Sequence, residues 1–309
     1  MPVEQTNDRI ILKHPKGPSV EMLLYGAHIL SWKSGSKGSP EQKERLFLSS
    51  KAPLDGSAPV RGGIPVVFPA FAAPPHAHPE HSKLGIHGFA RSEVWTFDSV
   101  VLDSEAGVSV RLSEASGVLE ERRCTYSIVC QALTPTPKIQ EVYSRQFQLA
   151  YVVTLAEHQL STDLHVHNPD SEPLEFHALF HNYIRCPAND VAIAPLQGKK
   201  YFDKTDKEFQ GLKTETRAAV DVRKWTDSVY EDTSGSYEVT WPGDGVSIKT
   251  VNLKDLVIWN PQAEAGPKII DMEDKGWEKY VCVEPGFVKG YVKLEGGKSW
   301  TGQQTITLH

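Results

Sequence analysis

The chain is predicted to be all-β, a large antiparallel β-sandwich, and three observations predict it. Short alternating stretches rich in Val, Ile, Phe, Tyr, Trp and Thr recur from one end of the 309 residues to the other, while helical spacing of apolar residues is hard to find. Gly, Pro, Asn and Asp interrupt these stretches at short intervals. So many strands joined by short turns favour an antiparallel sandwich over βαβ units.

Taken in order, alternation predicts strands at 20–24, 28–32, 45–48, 95–102, 108–112 and 147–155. The second half continues with 160–167, 174–181, 237–241, 246–253, 256–259, 279–284, 291–294 and 300–308. A polar turn at 156–159 makes a hairpin of the segments around it, and Asn168-Pro169-Asp170-Ser171 has the chemistry of the next turn. Composition makes 34–40 and 72–79 exposed loops and 203–213 a loop or one helical turn. Strand pattern resumes on both sides of each, so one domain over 1–309 is expected.

Composition excludes several classes. No apolar run approaches the roughly 18 to 20 residues of a membrane span. The start has no basic stretch leading into an apolar core, so no signal peptide is expected. Cys124, Cys130, Cys186 and Cys282 form no Cys-x-x-Cys pattern, which fits reduced thiols in a cytoplasmic protein better than a disulfide framework or a zinc knuckle. A formal net charge of −6 gives no support to nucleic-acid binding. Against that acidic background, Arg61-Gly-Gly-Ile-Pro-Val-Val-Phe-Pro and His87-Gly-Phe-Ala-Arg91 stand out. Arg is always charged and presents a planar fork of donors, and the neighbouring glycines let backbone approach a ligand closely. The segment suits a small anion such as a phosphate, with a structural ion pair as the alternative for each arginine.

Two further places could carry chemistry. In Phe176-His177-Ala178-Leu179-Phe180-His181, alternation puts His177, Leu179 and His181 on one face and the apolar Phe176, Ala178 and Phe180 on the other. His181 at the strand end is either a hydrogen-bonded structural histidine or a functional one. Glu284 closes an apolar strand before Pro285-Gly286, read as a tight turn, and is either a solvated rim residue or catalytic. Histidines at 76, 78 and 81, and His165-x-His167 with Glu172, have spacing that a metal could use. The second half of a cupin-like metal motif is lacking, and the 76–81 group lies in a Pro-rich loop, so no metal is expected.

These motifs in order, together with 26–32 (Gly-Ala-His-Ile-Leu-Ser-Trp), 225–230 (Trp-Thr-Asp-Ser-Val-Tyr), 257–261 (Val-Ile-Trp-Asn-Pro), Asp271-Met272 and Gly276-Trp277, cover most of the chain. Their set resembles the hexose-6-phosphate mutarotases, or glucose-6-phosphate 1-epimerases, of the aldose 1-epimerase superfamily. The resemblance implies a galactose mutarotase-like supersandwich that interconverts the α and β anomers of D-glucose 6-phosphate and related hexose 6-phosphates. It implies His181 as catalytic acid and Glu284 as catalytic base, with Arg61, His87, Arg91 and Asp227 binding substrate. It implies no cofactor, no nucleic-acid or membrane partner, and a monomer. Two departures stand out: Ile86 replaces the Gln common before that His-Gly pair, and Asn182 and Ile184 alter the neighbours of His181. The residues alone leave Asp227 either a hydroxyl acceptor or a turn residue before the strand Val229-Tyr230. Rival readings are a non-catalytic sugar-phosphate binding or regulatory protein, a metal-dependent sugar-phosphate isomerase, and a glycoside hydrolase, which would pair two carboxylates rather than a carboxylate and a histidine.

Overall fold

Two eight-stranded sheets and one five-stranded sheet, every ladder antiparallel, make up the computed structural model, which describes residues 3–36, 41–75, 77–104, 106–114 and 135–309. One large sheet runs Leu212–Thr214, Lys200–Asp203, Thr226–Tyr230, Asp255–Asn260, Tyr280–Leu294, Leu174–Phe180, Val66–Val67, with Tyr183–Arg185 also pairing on Tyr280–Leu294. The other runs Ala192–Ala194, Ser236–Trp241, Asp244–Val251, Ser299–Leu308, Gln159–His167, Gln148–Ala156, Gly107–Glu114, Trp95–Ser104. Between them lies a single apolar cluster that takes Leu160, Leu164 and Ile306 from the second sheet and Leu256, Ile258, Val281 and Val283 from the first. Period-two patterning accounts for this: along Gln159–His167 every second residue is buried. The all-β antiparallel sandwich expected from the sequence is the architecture found.

Several local expectations are corrected. The segments 279–284 and 291–294 are one strand, Tyr280–Leu294, that passes straight through Pro285-Gly286, so the expected tight turn is absent. Pro285 stands opposite Leu256, and the ladder towards Leu174–Phe180 loses its register between Phe176 and Ala178. Pro285 lies just beyond Leu179–Gly286, the end pair of that ladder, so its missing N–H interrupts little pairing there. The segment 45–48 makes only isolated bridges at Leu46 and Leu48. The strand Arg9–Lys13, which buries Ile10 and Leu12, escaped the alternation search. The 72–79 loop is exposed at Ala73, Pro75, Ala77 and Pro79, as expected, whereas His81 just beyond it is fully buried, its ring stacked 3.9 Å from that of His78. His76, Cys124 and Cys130 lie outside the described residues.

Register builds the site. Asp227 stands opposite Trp259, Trp259 opposite Cys282, and Cys282 opposite Tyr183; one pleat along, Val229 faces Val257 and Val257 faces Glu284. Since side chains alternate, these rows share one face, while Tyr230, Ile258 and Val283 on the other face enter the central core.

Candidate active site

His181 follows directly on the strand Leu174–Phe180. Its N–H donates to the Pro65 carbonyl at 3.0 Å, and the next residue locks the chain: the Asn182 side-chain amide donates to the Val283 carbonyl at 2.9 Å and to Gln304 at 2.7 Å. The ring lies flat on Tyr183, centroids 4.8 Å apart at 9°, with Trp259 edge-on at 6.1 Å. This packing aims Nε2 at Glu284, whose Oε1 is 3.5 Å away. The Asn182 that departs from the resembling pattern is therefore the tie between the His181 segment and the Glu284 strand.

Glu284 is 1% exposed, so a solvated rim position is excluded. Among the described residues neither of its oxygens has a hydrogen-bond partner. Burial drives its carboxyl well above the ordinary range, the neighbouring Asp227 carboxylate adds to that, and Lys204 opposes it. His181 moves the other way: burial, then His87, Arg61 and Arg91, hold its imidazole well below the ordinary value. Both groups are thus pushed towards their neutral forms, and the values of free side chains do not apply to them.

The arginine segment approaches from the other wall. Arg61 donates to Asp271 and to the Tyr183 hydroxyl, both at 3.1 Å. Arg91 donates to the Ile86 carbonyl at 2.8 Å, while its Nε is buried with no hydrogen-bond partner among the described residues. Gly63, at φ 62°, allows the approach, because a Cβ there would meet the Ile29 carbonyl oxygen at 2.0 Å. His87 accepts from the Ala72 N–H at 3.3 Å, and burial and the three neighbouring cations depress its pKa to about 3. It stays neutral, 5.8 Å edge-on to His181. Ile86 is exposed at the pocket mouth and contributes its carbonyl rather than a side-chain donor.

Arg61, His87, Arg91, His181, Asp227 and Glu284 all line one cavity of about 330 Å³. Asp227 lies within the strand Thr226–Tyr230, not in a turn before it, and pairs with Lys204 at 3.3 Å. Sequence reasoning missed Lys204, which sits in the polar stretch after Asp203 with no pattern to mark it and reaches over the Phe71 ring at 4.4 Å. It also missed the roles of Trp259 and Asp271 as neighbours of the site, although both stand in motifs that the resemblance uses. The other histidine groupings are spread along the fold: His165 pairs with the Thr301 hydroxyl and His167 with the Ser299 hydroxyl, both at 3.0 Å.

A family model described as aldose 1-epimerase matches residues 8–307. The chain belongs to the aldose 1-epimerase family. Its enzymes are mutarotases, isomerases that exchange the anomers of an aldose. A protein of Cenchrus ciliaris is 25% identical over 311 residues, covering 97% of this chain and 84% of its own length. One of Escherichia coli K12 is 25% identical over 305 residues, covering 97% and 90%. Both carry glucose-6-phosphate 1-epimerase as a provisional name. Among solved structures, a Salmonella typhimurium protein titled as a mutarotase superposes with a TM-score of 0.80 at 22% identity, covering 99% of this chain and 92% of that one. A galactose mutarotase-like protein of Clostridium acetobutylicum gives 0.71 at 17% identity, covering 99% and 97%. No helix among the described residues is long and apolar enough to cross a membrane.

Proposed function

We propose that this aldose 1-epimerase family member interconverts the α and β anomers of D-glucose 6-phosphate and related hexose 6-phosphates. The observation that carries the reading is one cavity with His181 and Glu284 3.5 Å apart at its floor and Arg61 and Arg91 in its wall. The names borne by the Cenchrus and Escherichia relatives point the same way.

Anomer exchange moves a proton off the C1 hydroxyl and another onto the ring oxygen, opening the C1–O5 bond to the aldehyde. Both oxygens hang on one carbon, so acid and base must be close neighbours, as His181 and Glu284 are. Glu284 takes the hydroxyl proton and His181 delivers one to the ring oxygen. After rotation about C1–C2 the aldehyde recloses on its other face, the two protons return, and both side chains end as they began. Arg61 and Arg91 bind the 6-phosphate with charge-assisted hydrogen bonds, so binding energy far from C1 orients the reacting end. The same phosphate offsets two of the cations that hold His181 neutral, and so lets the one proton the pair holds pass from Glu284 to the imidazole when substrate is in place, leaving Glu284 ionised as the base. Asp227, steadied by Lys204, accepts from ring hydroxyls.

The test is exchange spectroscopy between the two anomeric protons of glucose 6-phosphate with catalytic amounts of protein. Cross-peak build-up well above the buffer rate is expected, and none above it rules the activity out. Comparison with unphosphorylated glucose then tests the phosphate preference.

A further inference from the structure

Cys282 stands two residues before Glu284 on the strand Tyr280–Leu294, so both side chains leave the same face, and His181 meets them from just past the end of the neighbouring strand Leu174–Phe180. One donor atom from each of His181, Cys282 and Glu284 lies within 4.8 Å of the other two. Four-coordinate Zn²⁺, with bonds of about 2.0 to 2.3 Å, sets adjacent ligand atoms roughly 3.3 to 3.6 Å apart. His181 Nε2 and Glu284 Oε1, at 3.5 Å, already have that spacing, and the thiol needs only a small side-chain shift. All three residues are buried, and the Glu284 oxygens have no hydrogen-bond partner among the described residues.

We propose that His181, Cys282 and Glu284 form an inhibitory site for Zn²⁺ and for the softer Cd²⁺, entered through the sugar pocket. A thiolate and a carboxylate neutralise a divalent ion while the imidazole stays uncharged, so the loaded site carries no net charge in surroundings where burial opposes each charge alone. Two protons leave to solvent as the ion binds, the Cys282 thiol proton and the one that His181 and Glu284 hold between them, and the ion sheds the waters that the three side chains replace. Its fourth position keeps a water facing the pocket. The mixed sulfur, nitrogen and oxygen set selects soft and borderline ions over Mg²⁺. Cys282 is fully buried and does not line the pocket, so it adds metal affinity beneath the sugar site without meeting the sugar. Binding rests on this geometry alone; inhibition rests also on the proposed roles of His181 and Glu284.

The experiment uses the reduced, metal-free full-length chain. Cd²⁺ titration should raise the thiolate-to-cadmium charge-transfer absorption with a one-to-one end point in the parent and in Cys186→Ala, and not in Cys282→Ala. Zn²⁺ should inhibit anomer exchange competitively with the sugar and reversibly by chelation, with the inhibitory concentration rising roughly tenfold or more in Cys282→Ala. Mg²⁺ should be without effect. Cys282→Ser, which keeps the side-chain size, serves if the alanine variant folds poorly. A band that survives loss of Cys282, or Zn²⁺ inhibition unchanged in both variants, overturns the site. A Cys282-dependent band with undiminished turnover leaves the ion site standing and overturns the inhibition, and with it the catalytic roles of His181 and Glu284.

Discussion

The imidazole Nε2 of His181 lies 3.5 Å from the Glu284 carboxylate, although the two residues are far apart in the chain. The fold brings them together by ordinary ladder pairing: Leu179 stands opposite Gly286, and Tyr183 opposite Cys282, so the residue between them arrives beside Glu284. Each then faces a partner of the opposite acid–base character in a site where burial disfavours charge on both.

Glu284→Gln removes the proposed base while keeping shape. Anomer exchange should fall by about 10²- to 10⁴-fold, the usual contribution of one positioned proton-transfer group, with binding of glucose 6-phosphate retained. Exchange spectroscopy together with calorimetric titration checks both halves. A variant of near-parental activity would remove Glu284 from the mechanism.

Arg61→Ala and Arg91→Ala should each lower kcat/KM for glucose 6-phosphate by roughly 10- to 100-fold, the range expected when one charge-assisted hydrogen-bonding group is lost. Activity on unphosphorylated glucose should change little. Arg61 also holds Asp271 and Tyr183, so equal losses on the two sugars would mark it as a residue that braces the pocket.

The pH dependence of kcat/KM should show a plateau across neutrality, because the pair keeps one proton over a wide range. His181, depressed by burial and by nearby charge, sets an acid limb below its ordinary value; Glu284, raised by burial, sets an alkaline limb far above that of a free carboxylate. Arg61 and Arg91 are among the causes that depress His181. Removing either should therefore move the acid limb to higher pH. An acid limb that stays in place, or moves down, in both arginine variants contradicts this coupling.

Acid should destabilise the fold through its buried histidines. His28, whose Nε2 is 2.9 Å from the Gly62 carbonyl oxygen, is held down to about 4, chiefly by burial, as are His81 and His177. Their folded values lie below the unfolded one, so the stability each contributes is complete above about pH 6.5 and lost as pH falls towards 4. The slope is about 1.4 kcal/mol per pH unit for each histidine. Glu284, Asp227 and Asp255, all raised by burial, act in the opposite sense and offset part of it. Urea unfolding at pH 7 and pH 5 should show the lower stability at pH 5; equal or greater stability there would contradict the balance.

What could be read from the residues differs from what could not for physical reasons. Alternation exposed most strands because one face of each large sheet is core, and Arg61 is conspicuous as a charge beside glycine in an acidic chain, although its ion pair with Asp271 could not be read there. Lys204 gave no such signal: it lies in a polar stretch and acquires meaning only from Asp227 on the neighbouring strand. The shifted proton affinities of His181 and Glu284 were equally hidden, since burial belongs to the stacked sheets and not to the local sequence. Pro285-Gly286 was read as a turn because those residues favour turns, and neighbouring strands on both sides overrode that local preference.

The Asn182–Gln304 pair gives the sharpest stability test. Both residues are fully buried; their side-chain amides exchange hydrogen bonds of 2.7 and 2.8 Å, and Asn182 also donates to the Val283 carbonyl. Asn182→Ala strands the Gln304 amide, and each buried polar group left unpaired costs about 1 to 3 kcal/mol. The expected loss is therefore about 3 kcal/mol, read by urea unfolding. Replacing both residues with leucine removes the stranded groups and should restore part of that loss. Because Val283 adjoins Glu284, both variants should also lower kcat more than they raise KM, through a misplaced acid–base pair. Recovery of stability without recovery of kcat separates positioning from mere support. A single variant as stable as the parent would show that the buried amide pair contributes nothing to holding His181 and Glu284 together.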